Sequence, residues 1–289
     1  MAELLRGGPV ATEITEELQA RVARLALDGV APGLAMVRVG ERPDDLSYER
    51  AAMKRAEKVG VEVRRFVLPD SCSQDDLRSV IQEVNDDSSL HGCLLFRPLP
   101  AALDETAACA ALDPAKDVDG ITPGSLYGVF AGQPVGFPPC TAQGVVELLV
   151  RSGVELAGAR VTVVGRSLVI GRPVAMMLQA HDATVTMCHT RTRDLAAECR
   201  RADVLVVAAG HAATVGADAV SGRQTVVDVG INWDDEAGKL VGDVDFDAVV
   251  DRVARITPVP GGVGAVTTAV LMSHVVEAAE RAAGHHAAG

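Results

Sequence analysis

Four short stretches carry side chains suited to ligand binding or catalysis. The first is VTVVGRSLVIGRP, residues 161–173, where an apolar run ends in Gly165 and a helical pattern opens around Pro173. Glycine permits a tight turn there, and a following helix N-terminus offers N–H groups and a positive dipole end to a phosphate. Arg166 could hold a ribose phosphate, or be a solvated arginine on an ordinary turn. The spacing is not GxGxxG, so it supports nucleotide binding without specifying it. The second stretch is PAKDVDG, residues 114–120. Asp119 could accept hydrogen bonds from an amino-pyrimidine edge; alternatively, Asp117 and Asp119 both make Asx turns. The third is TPVPGGVGAVT, residues 257–267, whose prolines restrict and glycines free the backbone within one turn. That suits a ligand-lining loop or a structural turn. The fourth is SYERAAMKRAEKVG, residues 47–60, a helical pattern with Tyr48 and several cations. One turn after Tyr48, where a cation would share its face, stands Ala52.

No Ser-His-Asp constellation accompanies these stretches, and His181, His189 and His211 stand apart from one another. Nucleophilic hydrolysis therefore has no positive support. The six cysteines form no CxxC and no tight Cys/His set, so we expect small core residues, a reduced compartment and no metal site.

The chain has 289 residues, which suits two domains. Apolar residues make up 48% but aromatics only 3%, so the core must be built from Val, Leu, Ala and Ile. The net charge of −12 argues against general binding to nucleic acid or anionic membranes. The N-terminus reads without a signal segment, and no apolar run reaches a membrane span, so a cytoplasmic protein is expected. The final HHAAG reads as a frayed end, with His285 and His286 not offered as metal ligands.

Several elements must hold these stretches in place. Periodicity predicts a helix over 11–29, a strand over 33–40, the 47–60 helix, a strand over 61–68, a helix over 75–87 and a strand over 92–96. This alternation implies a mainly parallel sheet. Residues 113–140 are rich in Pro, Gly and Asp and lose periodicity, as in a linker or functional loop. A helix follows over 141–153, with Thr141 as its possible cap, and then a second strand–helix series. The last helix, 267–284, is apolar on more than one face and should be buried.

Together these segments resemble the bifunctional methylenetetrahydrofolate dehydrogenase/cyclohydrolase family. The resemblance rests on PAKDVDG (114–120), FPPCTAQG (137–144), VVGRSLVIGRP (163–173), CHTRT (188–192), VVDVGIN (226–232), GDVDF (242–246) and ITPVPGGVG (256–264), in family order. It implies two α/β domains: a three-layer folate-binding catalytic domain (1–140 plus 267–289) and a Rossmann-like NADP-binding domain (141–266). The last helix would pack back on the first domain. It implies NADP at Gly165, Arg166, Ser167, Thr190 and Ile231. A tetrahydrofolate derivative would lie at Tyr48, Asp119 and the Pro260–Gly264 loop, with Tyr48 and Asp119 at the reacting centre. It further implies a homodimer.

The chain departs from this pattern in the helix, after the third strand and in the closing loop, where GVGAVT stands in place of the usual GVGPMT. Family members read YVxxK in the second helix and VQLPLP after the third strand. Here Ala52 holds the lysine position, Phe96 the glutamine position and Arg97 the following leucine position. Neither Ala52 nor Phe96 can move a proton. Lys54 lies about 200° around the helix from Ala52, and arginines such as Arg55 or Arg97 are poor bases. Hydride transfer asks mainly for positioning. The expectation is therefore an NADP-dependent dehydrogenase with weak or absent cyclohydrolase. The alternatives are a paralogue acting on another one-carbon adduct and a non-catalytic folate- and NADP-binding protein.

Overall fold

Strands and helices alternate along the chain. They run β1 (Glu3–Leu4), α1 (Gly7–Leu27), β2 (Gly33–Val39), α2 (Pro43–Val59), β3 (Glu62–Leu68), α3 (Gln74–Asp86) and β4 (Gly92–Leu95). Then come α4 (Glu105–Ala111), α5 (Pro123–Ala131), α6 (Cys140–Arg151), β5 (Arg160–Val164), α7 (Gly171–Ala180), β6 (Thr184–Cys188), α8 (Leu195–Arg200) and β7 (Val204–Val207). The series closes with β8 (Thr225–Asp228), β9 (Asn232–Asp234), β10 (Lys239–Val241), α9 (Phe246–Val249), β11 (Arg255–Ile256) and α10 (Val263–Ala282). This computed structural model describes residues 2–235 and 238–284; the expected frayed end, with His285 and His286, lies outside the described residues.

Two compact units emerge. One, the N-terminal unit, joins Glu13–Cys140 to Thr268–Gly289. Its parallel sheet has the order β3-β2-β4. All of β2 is buried, which explains the apolar run from Gly33 to Val37: a central parallel strand meets side chains on both faces. Each Leu, Met or Val buried there contributes about 1.5–3 kcal/mol. Val37, Leu95, Leu77, Ile81 and Cys109 share one core.

The other, the central unit, joins Met1–Thr12 to Thr141–Thr267. Its sheet is parallel throughout, with the order β1-β11-β8-β7-β5-β6. The first twelve residues, assigned above to the first domain, fall in this unit because Glu3 and Leu4 pair with Arg255 and Ile256 of β11. Two residues are too short a strand to leave a readable period.

Several predicted boundaries shift. Helix α1 begins at Gly7 rather than Ala11, because Pro9 falls in the first turn, where its missing N–H costs nothing. Helix α2 begins at Pro43 for the same reason. Thr141 does not cap α6, which already includes Cys140. Residues 113–140 are not wholly irregular: α5 forms there, with the Thr122 side chain accepting from the N–H of Ser125. Gly124 and Gly128 weakened its helical signal, yet a Cβ on Gly128 would sit 2.3 Å from the carbonyl oxygen of Val135. The expected burial of the last helix against the first domain holds: from Thr268 on, α10 belongs to the N-terminal unit, where Met272, Val275 and Val276 are fully buried. Among the described residues, no helix is long and apolar enough to cross a membrane, all six cysteines are free and buried, and no group of three or more metal-binding side chains gathers.

Candidate active site

In the central unit the site is built at the carboxyl ends of the parallel strands. Strand β5 ends at Val164, and the N–H of Gly165 bonds the Cys188 carbonyl at the end of β6. Gly165 has φ +128°, and a Cβ on it would lie 2.1 Å from the carbonyl oxygen of Ala208 beyond β7. A Cβ on Gly171 would lie 2.3 Å from the carbonyl oxygen of Gly165. The turn thus closes at two positions where only glycine fits. The Ser167 hydroxyl accepts from the N–H groups of Ile170 and Gly171 and so braces the turn that leads into α7. Arg166 through Val169 are exposed, as is Thr190 in the loop after β6. That loop is held by the Thr192 hydroxyl, which accepts from the N–H of His189 at 2.8 Å. Ile231 follows β8 with 66% of its surface exposed, and a Cβ on Gly264 would stand 4.0 Å from its Cδ1. The residues mapped to the cofactor therefore line one edge of one sheet, with Pro260 and Gly264 in the same unit.

Two aspartates that carry no assigned chemistry knit this edge together. Asp228 is 4% exposed, and its carboxylate accepts from the N–H groups of Gly230, Asp243 and Val244. Asp243 accepts from the N–H groups of Ala209 and Gly210 and from the Asn232 side chain. The VVDVGIN and GDVDF stretches are thus one hydrogen-bonded device that holds the loop carrying Ile231. Burial pushes Asp228 up to about 6, against the three N–H donors that favour its ionised form.

In the N-terminal unit, α2 presents Tyr48 and is locked to the sheet by the next residue. Glu49 is buried between Arg38 of β2, at 2.8 Å, and Arg65 of β3, at 2.6 Å. Removing one partner would strand a buried charge, so the lock fixes the rotation of the helix. The turn bearing Asp119 is equally determined. Asp117 is fully buried and accepts from the N–H groups of Ile121 and Thr122. A Cβ on Gly120, at φ +67°, would lie 2.3 Å from the nitrogen of Pro139. Asp117 therefore serves the turn, whereas the Asp119 carboxyl is hydrogen-bonded to the Cys140 side chain.

Asp119 stands with Tyr48, Cys140 and Arg97. Burial pushes its carboxyl up to about 6, opposed by the positive charge of Arg97. Burial, with Asp119 and Cys140 nearby, holds the Tyr48 phenol well above its usual range. The phenol is thus a donor at neutral pH. Cys140 is also held well above the usual thiol range by burial, and its Sγ donates to the Val118 carbonyl at 3.1 Å. His274 Nδ1 lies 2.8 Å from that same carbonyl. A carbonyl only accepts, so Nδ1 carries the proton and cannot serve as a base for the thiol 3.6 Å away. Cys140 and His274 are therefore structural partners of the Asp119 turn, not a nucleophilic pair.

The departing positions sit beside this cluster. Ala52 is fully buried and Phe96 is 5% exposed. The Phe96 ring meets Tyr48 edge-on, with centroids 6.1 Å apart. Lys54 is exposed, as its helical angle requires. Arg55 is tied to Thr15 at 2.8 Å and to Thr268 at 3.4 Å. Arg97 reaches Glu105 at 3.5 Å.

Tyr48 and Asp119 are thus brought together in one unit, whereas Gly165, Arg166, Ser167, Thr190, Ile231, Pro260 and Gly264 lie in the other. Reasoning from sequence missed Glu49, Cys140, Asp228 and Asp243. The FPPC and GDVDF stretches were visible signals, but they disclosed no partner.

Comparison with known proteins bears on this geometry. The family model of the tetrahydrofolate dehydrogenase/cyclohydrolase catalytic domain matches residues 5–119, and that of its NAD(P)-binding domain matches residues 139–283. A bifunctional protein FolD of Carboxydothermus hydrogenoformans is 50% identical over 281 residues, covering 97% of this chain and 98% of that protein. The bifunctional FolD of Campylobacter jejuni superposes with a TM-score of 0.94 at 37% identity, covering 97% of this chain and 99% of the other. The Trypanosoma brucei methylenetetrahydrofolate dehydrogenase-cyclohydrolase, solved with NADP cofactor and inhibitor, has a TM-score of 0.91 at 36% identity, covering 98% of each chain. The chain therefore belongs to the tetrahydrofolate dehydrogenase/cyclohydrolase family.

Proposed function

We propose that this chain is an NADP-dependent 5,10-methylenetetrahydrofolate dehydrogenase in which ring opening of the methenyl product is weak or absent. Family membership supports the first half, and the Trypanosoma brucei relative is described with NADP bound. The residues here fit that cofactor. The glycine turn at Gly165 leaves room for close approach, and Arg166 is an exposed cation beside it. Gly165, Arg166, Ser167, Thr190 and Ile231 would hold the nucleotide, and the nicotinamide, when bound, accepts the hydride. Tyr48 donates to the folate and Asp119 accepts from its amino-pyrimidine edge; the family resemblance adds Pro260 and Gly264 as substrate contacts. The N-terminal unit is the folate unit and the central unit the nucleotide unit.

The second half rests on one observation. The two positions where the family carries a lysine and a glutamine hold Ala52 and Phe96, both buried and apolar. Adding water to the methenyl carbon needs timed proton transfers, for which general acid–base help is worth about 10²–10⁴-fold. Arg55 is engaged with two threonines, and a guanidinium makes a poor base. Hydride transfer needs no proton donor at that place, only two rings held in contact away from water. The same reading has the protein act in the cytoplasm as a homodimer; light scattering in solution checks the dimer.

A turnover assay with methylenetetrahydrofolate and NADP⁺ tests the activity. Reduced nicotinamide is expected to appear with loss of substrate. A preparation that binds both ligands yet reduces no nicotinamide would overturn the reading.

A further inference from the structure

Arg97 is the one departure that adds a chemical group. It follows β4 directly, on the same end of the sheet as Asp119 and Tyr48. Its Nε is the only buried side-chain nitrogen or oxygen without a hydrogen-bond partner among the described residues. A buried donor left unmade is costly, so the position calls for an acceptor. Glu105 does not provide it. Its Oε1 stands 3.5 Å from the Arg97 Nη1, at the outer limit of a bond, while its Oε2 already accepts from the N–H of Leu99 at 2.8 Å. Arg97 follows Phe96, whose ring meets Tyr48 edge-on at 6.1 Å, and its positive charge opposes the upward push on the Asp119 carboxyl, so guanidinium and carboxyl lie within electrostatic reach of each other.

The ring edge of a tetrahydrofolate presents an amino group, a ring N–H and a ring carbonyl in a row: donor, donor, acceptor. A carboxylate alone matches the first two. A carboxylate beside a guanidinium matches all three. We propose that Arg97 is a specificity-determining residue whose buried Nε–H donates to the ring carbonyl of the folate while Asp119 accepts from the two neighbouring donors. This rests on the reading of the chain as a methylenetetrahydrofolate enzyme. A tail carboxylate could also accept from a guanidinium, but the tail lies at the far end of the molecule from the edge that Asp119 takes. The substitution of an apolar side chain by Arg97 thus exchanges proton chemistry at this end of the sheet for tighter reading of the ring.

Calorimetric titration of tetrahydrofolate and of its 4-amino counterpart into the wild type and Arg97→Leu tests this. The 4-amino compound keeps the tail, replaces the ring carbonyl by a donor and turns the neighbouring ring N–H into an acceptor; that second change weighs on Asp119 in both proteins, so only the difference between them reads Arg97. The wild type should lose more affinity on that replacement than Arg97→Leu does, by about tenfold or more. Arg97→Lys should recover only part of the difference, because an ammonium lacks the planar fork. Titration of NADP and a thermal melt serve as controls and should match the wild type. Equal discrimination in wild type and Arg97→Leu would overturn the proposal; Arg97 would then only clamp Glu105 or read the tail. If the wild type binds NADP but no tetrahydrofolate, the functional reading falls and this inference with it. Should Arg97→Leu melt early, Arg97→Gln, which keeps a polar side chain, carries the same comparison.

Discussion

The two units treat their polar groups in opposite ways. In the central unit, two buried aspartates at the end of the sheet are committed to the backbone: Asp228 and Asp243 accept from N–H groups on three loops. What remains for a ligand is shape, the glycine turn at Gly165 and Gly171, and exposed cations such as Arg166. In the N-terminal unit the scaffold is just as tightly bonded through Glu49 and Asp117, but the groups beside it include buried apolar side chains, Ala52 and Phe96. We propose that Ala52 and Phe96 stand where proton chemistry would be done and that Arg97 adds a guanidinium there. On the proposed reading, binding scaffolds persist in both units, and only one of them has lost reactive side chains. A chain can thus keep the step that needs positioning while losing the step that needs a proton shuttle.

The largest expected effects lie in the N-terminal unit. Asp119→Asn presents an N–H₂ where an acceptor is needed. It should lower kcat/KM for methylenetetrahydrofolate by about 100-fold, with NADP affinity unchanged in a direct titration. The double change Ala52→Lys with Phe96→Gln should raise methenyl ring opening by about 100-fold, the lower end of general acid–base help. Ala52→Lys alone should give little, because Phe96 offers it no hydrogen bond and the position is fully buried. Stopped-flow loss of the methenyl absorbance reads both.

Smaller effects are expected from the central unit. Gly165→Ala would bring its methyl against the Ala208 carbonyl in a backbone conformation that L side chains rarely adopt. The strain, about 2 kcal/mol, should weaken NADP by up to about 30-fold while leaving tetrahydrofolate titration unchanged. The smallest effect is one of pH. Asp119, held near 6, is ionised above that value and protonated below it. Its acceptor role is therefore lost as pH falls. The kcat/KM for the folate should decline below about pH 6, and NADP affinity should not follow the same curve. In Arg97→Leu the midpoint should move up, since the opposing positive charge is gone.

Much of the scaffold was legible because buried parallel strands leave plain runs: GLAMVRV, GCLL, VTVV, VLVV and TVVD all became strands. Gly165 and the Asp119 turn could be placed because glycine and proline constrain the backbone locally. What could not be read was partnership. Asp117 and Asp119 look alike in PAKDVDG, and only the direction of the Ile121 and Thr122 N–H groups assigns one of them to the turn. Asp228 and Asp243 are fifteen residues apart and meet through a loop. Helix α5 hid behind its two glycines, and β1 behind its length. The Arg38–Glu49–Arg65 lock joins three elements, so no single segment announced it. Long-range pairing is what a one-dimensional pattern does not carry.

The most direct measurement follows both products during turnover of methylenetetrahydrofolate with NADP⁺. Reduced nicotinamide and methenyltetrahydrofolate should accumulate one for one, and added methenyltetrahydrofolate should hydrolyse no faster with the protein than without it. Reduced nicotinamide that outruns the methenyl product, with formyltetrahydrofolate appearing in its place, would contradict the account. Ring opening would then proceed without the side chains at 52 and 96.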